Sequence, residues 1–384
     1  MKLKEICLLN PKPEHIDDSL PVSFVPMAKV GERGEFDPSE IKTYQEVKKG
    51  FTYFENGDVL FAKITPCMEN GKGAIARGMK NGRGFGSTEF HVLRPNPKLA
   101  TSKWLFYLLS WTPFRKEAEQ NMTGSAGQKR VPKQFLEEYS CKLPSLPEQK
   151  NITDLFDRAQ SIITLRQEQL RVLEELVKLR FVEEFGIIGQ NRKDWPIAKI
   201  RDVVREVRYG TSRPAVEGGK YPYLRMNNIT YDGELDLSEI KYIDIPEEEL
   251  EKCTVRKGDV LFNRTNSKEL VGKTCVYDRE EPMVLAGFVI RVRVNERMLP
   301  DFLSEFMNTS FMKATLLGMC KTAIGQANIN AQELQDIEIY VPPIELQTQF
   351  SVFRNKVNNL KFVVQKSIDE TQLLFDSLMQ KYFS

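Results

Sequence analysis

Residues able to carry out catalysis are scarce in this sequence and do not form a recognised active-site pattern. Only two histidines occur, His15 and His91. A histidine-rich metal site or a serine–histidine–aspartate triad is therefore not expected. The six cysteines stand far apart, without a Cys-x-x-Cys pair, at Cys7, Cys67, Cys141, Cys253, Cys275 and Cys320. This spacing predicts free thiols rather than a zinc site or a disulfide framework.

Two glycine-containing segments partly match phosphate-binding motifs, and each lacks a required residue. Gly272-Lys273-Thr274 matches the end of a P-loop, but Ser267 stands where its first glycine is needed. Gly82-Arg83-Gly84 has Ser87 in place of the third glycine of a dinucleotide fingerprint. The Asn-Pro-Pro-aromatic stretch of an adenine methyltransferase is absent. We therefore predict no cofactor and no metal.

Two Glu-Ile-Lys segments, at 40–42 and 239–241, could form a nuclease-type carboxylate–lysine pair. Their equivalent positions in the two halves of the chain favour a turn that enters a strand. With no other candidate centre, the sequence predicts a protein without a catalytic site, and a stand-alone enzyme is the least favoured class.

Charge is unevenly distributed although the 55 basic and 53 acidic side chains nearly cancel, to a net charge of +2. Thirteen basic and four acidic residues fall between Phe61 and Phe135, against nine and eight between Phe262 and Leu334. The first segment suits a polyanion such as DNA, although a merely solvated basic face is the alternative. No apolar run approaches the length of a membrane span, so we expect a cytoplasmic protein without membrane contact.

The chain is a tandem repeat with a period of about 200 residues. Four anchors recur in the same order: 34–42 with 233–241, 57–61 with 258–262, Gly127-Gln128 with Gly325-Gln326, and 143–149 with 341–347. Each copy begins with short β-branched and aromatic runs between turn signals, and contains one helix-like stretch, at 102–119 or 300–317. A proline pair then precedes a long helical segment. The predicted domains are 1–143 and 187–341, each followed by a helix, 144–186 and 342–384.

Both helical segments have apolar residues at the alternating three-and-four spacing of a heptad seam. In the first helix these residues are Ile152, Leu155, Ala159, Ile162, Leu173 and Leu176; in the second they are Phe350, Phe353, Val357, Leu360, Val364, Thr371, Leu374 and Leu378. Arg166 and Gln169 interrupt the first seam, and either set its register or are solvated. The predicted fold class is α+β: two β-rich domains joined by two long antiparallel coiled-coil helices in a pseudo-twofold tandem repeat.

The chain resembles the specificity subunits of type I restriction-modification enzymes. The resemblance rests on three motifs that occur twice in the same order: the Gly-Asp-Val-Leu-Phe strand, the Gly-Gln turn and the proline-rich helix start that ends in glutamine. The resemblance covers essentially the whole chain and implies two target recognition domains, with methylation and cleavage carried out by partner chains. It also implies a coiled-coil ruler that holds two methyltransferase subunits, with restriction subunits joining through the complex. One departure is that residues 343–347 lack the second proline, which puts the start of the second helix in doubt.

The geometry of DNA fits this resemblance, because two half-sites lie at a fixed distance and a protein that contacts both needs a rigid spacer. A helix of about 35 residues spans roughly 50 Å, enough to bridge successive turns of a duplex at about 34 Å per turn. Because the two domains differ in sequence, the double-stranded DNA target should be bipartite and asymmetric. The competing class is a non-enzymatic scaffold whose two β-rich modules bind protein, which would show no salt-sensitive duplex binding.

Candidate DNA contacts are side chains able to reach phosphates or base edges. In the first domain they are Lys63, Arg77, Arg83, Gln128, Lys129 and Arg130; in the second they are Arg225, Asn227, Asn228, Arg264, Asn266, Lys268, Lys273, Lys321, Gln326 and Asn328. Pro26 and Ala28 stand opposite Arg225 and Asn227 in the repeat, as expected if the domains recognise different bases. For each residue the alternative is a solvated surface group.

Overall fold

The computed structural model describes residues 1–125, 127–188, 193–320 and 327–384. The chain forms two compact units: unit 1 comprises residues 1–167 and 366–384, and unit 2 comprises residues 168–365. Each unit therefore contains one recognisable copy of the repeat and one half of each long helix. None of the described helices combines the length and the apolar character needed to cross a membrane.

Unit 1 is built on two four-stranded sheets. Its strands are β1 (Cys7–Leu9), β2 (Pro21–Val25), β3 (Ile41–Thr43), β4 (Thr52–Glu55), β5 (Val59–Ala62), β6 (Gly73–Ile75), β7 (Arg83–Gly86) and β8 (Phe90–Pro95). Its helices are α1 (Leu3–Ile6), α2 (Tyr44–Val47), α3 (Ser102–Ser110), α4 (Thr112–Gln120), α5 (Lys133–Glu138) and the first half of α6 (Leu146–Phe185). One sheet has the order β1-β8-β5-β6 and is antiparallel; the other has the order β3-β2-β7-β4, with β2 and β7 parallel.

Unit 2 repeats this arrangement. Its strands are β9 (Ile197–Lys199), β10 (Val204–Tyr209), β11 (Tyr221–Leu224), β12 (Lys241–Ile243), β13 (Thr254–Val255), β14 (Val260–Asn263), β15 (Thr265–Asn266), β16 (Thr274–Val276), β17 (Met283–Leu285), β18 (Val289–Val294), β19 (Ala327–Asn328) and β20 (Glu338–Tyr340). Its helices are α7 (Glu247–Cys253), α8 (Pro300–Asn308), α9 (Ser310–Met319), α10 (Ala331–Gln335) and the first half of α11 (Ile344–Phe383).

The sheets of the two units have the same topology, which confirms the predicted tandem repeat. In unit 2 the orders are β10-β18-β14-β16 and β12-β11-β17-β13, and the parallel pair of β11 with β17 corresponds to β2 with β7. The helix-like stretches at 102–119 and 300–317 are each two helices, because Trp111 and Thr309 adopt extended backbone between them. A strand follows each Glu-Ile-Lys segment as predicted: β3 begins directly after Glu40, and β12 begins two residues after Glu239.

The repeated Gly-Asp-Val-Leu-Phe segment is structural. Asp58 is buried and binds Arg94 of β8 through two hydrogen bonds of 2.8 Å, while it also accepts from the backbone amide of Glu55. Asp259 binds Arg293 of β18 in the same way. A buried carboxylate is stable only when it is paired and hydrogen-bonded, so the repeat retains both partners.

The long helices α6 and α11 are 40 residues each, about 60 Å at the usual rise per residue. They begin at equivalent positions of the repeat, so the missing second proline does not displace the start of α11. Within unit 1, Phe156 near the start of α6 packs on Phe375 and Phe383 near the end of α11. Within unit 2, Phe181 near the end of α6 packs on Phe350 near the start of α11. The helices are therefore antiparallel, as predicted.

The packed face of these helices differs in part from the predicted seam. Nine predicted residues are buried or partly buried: Ile152, Ala159, Leu173, Phe350, Phe353, Val357, Val364, Thr371 and Leu378. Five are instead 41–55% exposed and need correction: Leu155, Ile162, Leu176, Leu360 and Leu374. Residues absent from the prediction are buried in their place: Phe156, Ile163, Val177, Phe181 and Ile368. The packed face carries the aromatic side chains that enter the cores of the units.

Candidate nucleic-acid interface

Three loops of unit 1 meet where strand β5 ends. The backbone amide of Lys63, the first residue after β5, donates to the carbonyl of Glu89 at 2.9 Å. The amide of Val131 donates to the carbonyl of Lys63 at 2.9 Å, and that of Thr65 to the carbonyl of Lys129 at 3.1 Å. These contacts bring together Lys63, Glu89, Gln128, Lys129 and Arg130, which we call the strand-end surface of unit 1.

Unit 2 has the same backbone arrangement after β14. The amide of Arg264 donates to the carbonyl of Phe288 at 3.0 Å, and the amide of Ile329 donates to the carbonyl of Arg264 at 2.9 Å. Strand β15 then pairs with β19, which places Asn266 beside this point along with Asn328. Arg264, Asn266, Phe288 and Asn328 form the strand-end surface of unit 2. Lys321 and Gln326, also predicted to contact DNA, lie outside the described residues.

Side chains at the strand-end surface of unit 1 are largely accessible. Gln128 and Lys129 are exposed and Lys63 is partly buried. The Arg130 guanidinium makes three hydrogen bonds to the Glu89 carboxylate and holds the pKa of that carboxyl below its usual value. The pair fixes the orientation of Arg130, whose side chain is still 42% exposed. A fixed guanidinium edge can donate to a guanine or to a phosphate.

The strand-end surface of unit 2 has different side chains on the same backbone. Arg264 stacks over the ring of Tyr209, with 4.7 Å from the guanidinium carbon to the ring centroid. The Asn328 Oδ1 accepts from Thr265 Oγ1 at 2.9 Å, so its amide nitrogen is the group turned to other acceptors. Phe288 is 54% exposed. An arginine, two asparagine amides and an aromatic ring are suited to base edges and to the thymine methyl group.

Two predicted residues of unit 1 lie away from the strand-end surface. Arg83 belongs to β7 in the other sheet. Arg77 lines a groove of about 650 Å³ with Arg33, Lys103 and Asp157 of α6. Asp278 occupies the corresponding position after β16 in unit 2, and a carboxylate cannot bind phosphate there. Arg77 is therefore not part of a surface that the two units share.

In unit 2, two of the predicted DNA contacts have buried side chains. Asn228 is 3% exposed, and its amide nitrogen donates to the carbonyls of Asp236 and Glu239, so it holds a turn together. Lys273 is 8% exposed, and its ammonium donates to the carbonyl of Met226. Both side chains are held by backbone carbonyls of other segments and lie outside the strand-end surface.

The remaining predicted residues of unit 2 differ in accessibility. Asn227 and Lys268 are exposed, whereas Arg225 is partly buried. Sequence reasoning missed Glu89, Tyr209 and Phe288. Of these three residues, only Phe288 had a signal in the sequence. It is an aromatic residue directly before strand β18, so it belongs to the preceding loop rather than to the sheet.

Groups suited to catalysis are tied up in the fold. His91 is buried, its Nε2 lies 2.8 Å from the carbonyl of Val131, and burial lowers its pKa. Burial also raises the pKa of the Cys7 thiol to about 12, which makes it a poor nucleophile. No group of three metal-binding side chains occurs in the described parts of the chain. Neither His91 nor Cys7 belongs to a strand-end surface.

A family model described as "Type I restriction modification DNA specificity domain" matches residues 1–175 and 192–362. Among curated relatives, the specificity subunit of the type I restriction enzyme EcoEI from Escherichia coli is 42% identical, with 98% of this chain and 81% of that protein covered.

The specificity subunit of the type I restriction enzyme EcoAI, also from Escherichia coli, is 44% identical over 176 residues, which is 45% of this chain and 30% of that protein. A chain from a solved structure concerned with complex assembly and conformational transition of the type I R-M system shares the fold. The two chains superpose with a TM-score of 0.64 and are 20% identical, and the match covers 100% of this chain and 96% of the other.

Proposed function

Because this chain belongs to the family of type I restriction modification DNA specificity domains, we propose that it is the non-catalytic subunit that recognises DNA sequence in a type I restriction-modification enzyme. The observation that carries this proposal is the strand-end surface, which occurs once in each unit on the same backbone hydrogen bonds. Residues 1–143 and 187–341 are the proposed recognition domains, acting on double-stranded DNA in the cytoplasm.

Differences between the two strand-end surfaces support a bipartite and asymmetric target. Lys63 corresponds to Arg264, and Arg130 to Asn328, so equivalent backbone positions present different hydrogen-bonding groups. Arginine pairs best with guanine and asparagine with adenine, each good bidentate pair contributing about 1–3 kcal/mol of discrimination. The basic surface of unit 1 adds phosphate contacts, which position the domain without reading sequence.

Partner subunits are expected on the long helices. Side chains of α6 leave a second apolar stripe open beside the packed face: Leu155, Ile162 and Leu165 in unit 1, and Val172, Leu176 and Leu179 in unit 2. An exposed apolar stripe of this kind is typical of a protein-binding surface. We propose that two methyltransferase subunits dock here, with restriction subunits joining through the complex. The spacing role predicted for the helices stays a prediction.

Methylome sequencing tests the proposal. The chain is expressed with a cognate type I methyltransferase subunit in cells that lack other adenine methylation, and modified adenines are mapped. We expect one bipartite motif that disappears without the chain. Duplex binding by the purified chain should also weaken steeply with salt, because counterions are released from DNA phosphates. A protein-binding scaffold would yield neither a motif nor salt-sensitive duplex binding.

A further inference from the structure

Unit 2 contains a lysine-lined cavity whose wall includes none of the residues of its strand-end surface. The cavity has a volume of about 440 Å³. Lys178 of α6, Lys268, Lys273 and Lys313 of α9 contribute to its wall, against one acidic lining residue, Glu269. Four ammonium groups against one carboxylate in the lining give the cavity a positive potential, which the nearby Asp232 and Glu305 reduce.

Two of these lysines are held without an acidic partner. Lys313 donates to the backbone carbonyl of Tyr231, and its ammonium lies 3.5 Å from the centroid of the Tyr231 ring. Lys273 donates to the carbonyl of Met226 at 3.0 Å. Neither forms an ion pair with a carboxylate among the described residues, whereas Lys178 pairs with Asp232 at 3.0 Å. Buried or partly buried cations with only neutral acceptors gain from a bound anion.

Burial disfavours the charged form of both lysines. It lowers the pKa of Lys313 to about 8 and also lowers that of Lys273. The first residue of α9, Ser310, lines the same cavity, so the positive end of the α9 dipole adds to the attraction for an anion.

The equivalent region of unit 1 is filled. Arg115 is the fourth residue of α4, and Lys313 is the fourth residue of α9. Arg115 is buried and donates to the carbonyl of Met68 at 2.6 Å. Met68 is fully buried in the core, while its counterpart in the loop of unit 2 is the exposed Glu269. The repeated fold therefore does not require the cavity, which depends on the side chains that unit 2 places there.

We infer that the lysine cavity of unit 2 is a phosphate-binding site, with Lys313 and Lys273 as its principal donors. The phosphate is carried either by the backbone of bound DNA or by a free phosphate compound, since both present the same tetrahedral oxyanion. Only the first source rests on the proposed DNA-binding function.

The first measurement is calorimetric titration of the full chain with inorganic phosphate and with pyrophosphate. Lys313→Gln and Lys273→Gln should each weaken binding about tenfold or more, because a hydrogen bond to a charged group is lost. Lys356→Gln, at an exposed lysine of α11, is the matched control and should leave binding unchanged. Glu269→Gln should tighten binding, and it keeps all four lysines if the other variants fail to fold.

The second measurement is the salt dependence of duplex binding by the same proteins. If the site holds a DNA phosphate, Lys313→Gln should reduce the slope of log affinity against log salt by about one unit. An unchanged slope with weakened pyrophosphate binding assigns the site to a free phosphate compound. The inference is overturned if the lysine variants bind phosphate and pyrophosphate as the wild type does and also keep its salt slope.

Discussion

Gln149 and Gln347 occupy the same position of the repeat and make the same three hydrogen bonds. Each is fully buried, accepts from one backbone amide through Oε1 and donates to two backbone carbonyls through Nε2, at distances of 2.8–3.0 Å. The partners are Thr101, Leu99 and Pro144 for Gln149, and Leu299, Arg297 and Pro342 for Gln347. The glutamine that ends the proline-rich motif thus joins the start of each long helix to its domain.

Replacing either glutamine should destabilise its own unit. Gln149→Leu or Gln347→Leu leaves buried backbone groups without partners, at a cost of about 1–3 kcal/mol in the free energy of unfolding per lost bond. Gln349→Leu, at an exposed position two residues after Gln347, should change stability little. Calorimetric or urea unfolding of the three variants is the measurement. Equal stability of all three would contradict the structural role of the motif.

Substitution at a strand-end surface should alter only one part of the DNA target. Arg264→Ala removes a donor in unit 2 and should relax one or two bases of one half-site, while the bases recognised by unit 1 stay the same. Lys356→Ala, at an exposed lysine of α11 that is not among the candidate DNA contacts, serves as the control and should leave the methylated motif intact. Methylome sequencing reports both half-sites at once. Degeneration of both by Arg264→Ala would mean that the units share one composite surface.

Neighbouring residues of α6 should separate folding from partner binding. Phe181 is 1% exposed and packs on Phe350, so Phe181→Ala should cost about 3–5 kcal/mol of stability. Leu179 is 67% exposed, so Leu179→Ala should leave the stability of the chain almost unchanged and weaken binding of the methyltransferase subunit. Thermal unfolding and co-purification distinguish these effects. Normal assembly of Leu179→Ala, and of a Val172→Ala, Leu179→Ala double variant, would count against docking on this stripe.

An insertion into the first helix should test the antiparallel packing. Four residues added after Leu173 rotate and advance Val177 and Phe181 relative to their partners on α11, because a stutter changes the helical phase. We expect a lower melting temperature of unit 2, and the measurement is thermal unfolding monitored by circular dichroism. A seven-residue insertion at the same place preserves the phase more closely and should be less damaging. Equally mild effects of the two insertions would show that Val177 and Phe181 do not pack on α11.

Lys313 should make the stability of unit 2 rise with pH in the alkaline range. Its folded pKa of about 8 lies below the unfolded value of 10.5, so between these pH values the unfolded chain binds more protons. The cost of burying the ammonium is therefore lost as pH rises above 8. Nearby charges are those of Asp232, Lys178, Glu305 and Lys273.

The measurement compares wild type with Lys313→Gln between pH 7 and 10. Thiols whose pKa is raised by burial, such as Cys7, act in the opposite direction in both proteins, so only the difference between the two proteins is informative. The free energy of unfolding of the wild type, minus that of Lys313→Gln, should therefore increase as pH rises. A constant difference would show that Lys313 is not desolvated.

Sequence alone determined the tandem repeat, the two long helices and their antiparallel pairing. These features depend on local signals: turn residues at matching positions, proline pairs before helices, and runs of helix-forming residues without internal proline or glycine. The absence of a catalytic motif was also visible in the sequence, since such motifs have fixed residue types and spacings. The functional class followed from these features taken together.

Tertiary structure decided which face of each helix packs and which predicted residues share a surface. Two apolar stripes run along α6 at similar spacing, and only contact with aromatic side chains of the domain cores separates buried Phe156 from exposed Leu155. Lys63, Glu89 and Arg130 meet through backbone hydrogen bonds between loops distant in sequence. Asn228 and Lys273 turn inward because backbone carbonyls of other segments accept their hydrogen bonds. A local sequence pattern does not encode such long-range contacts.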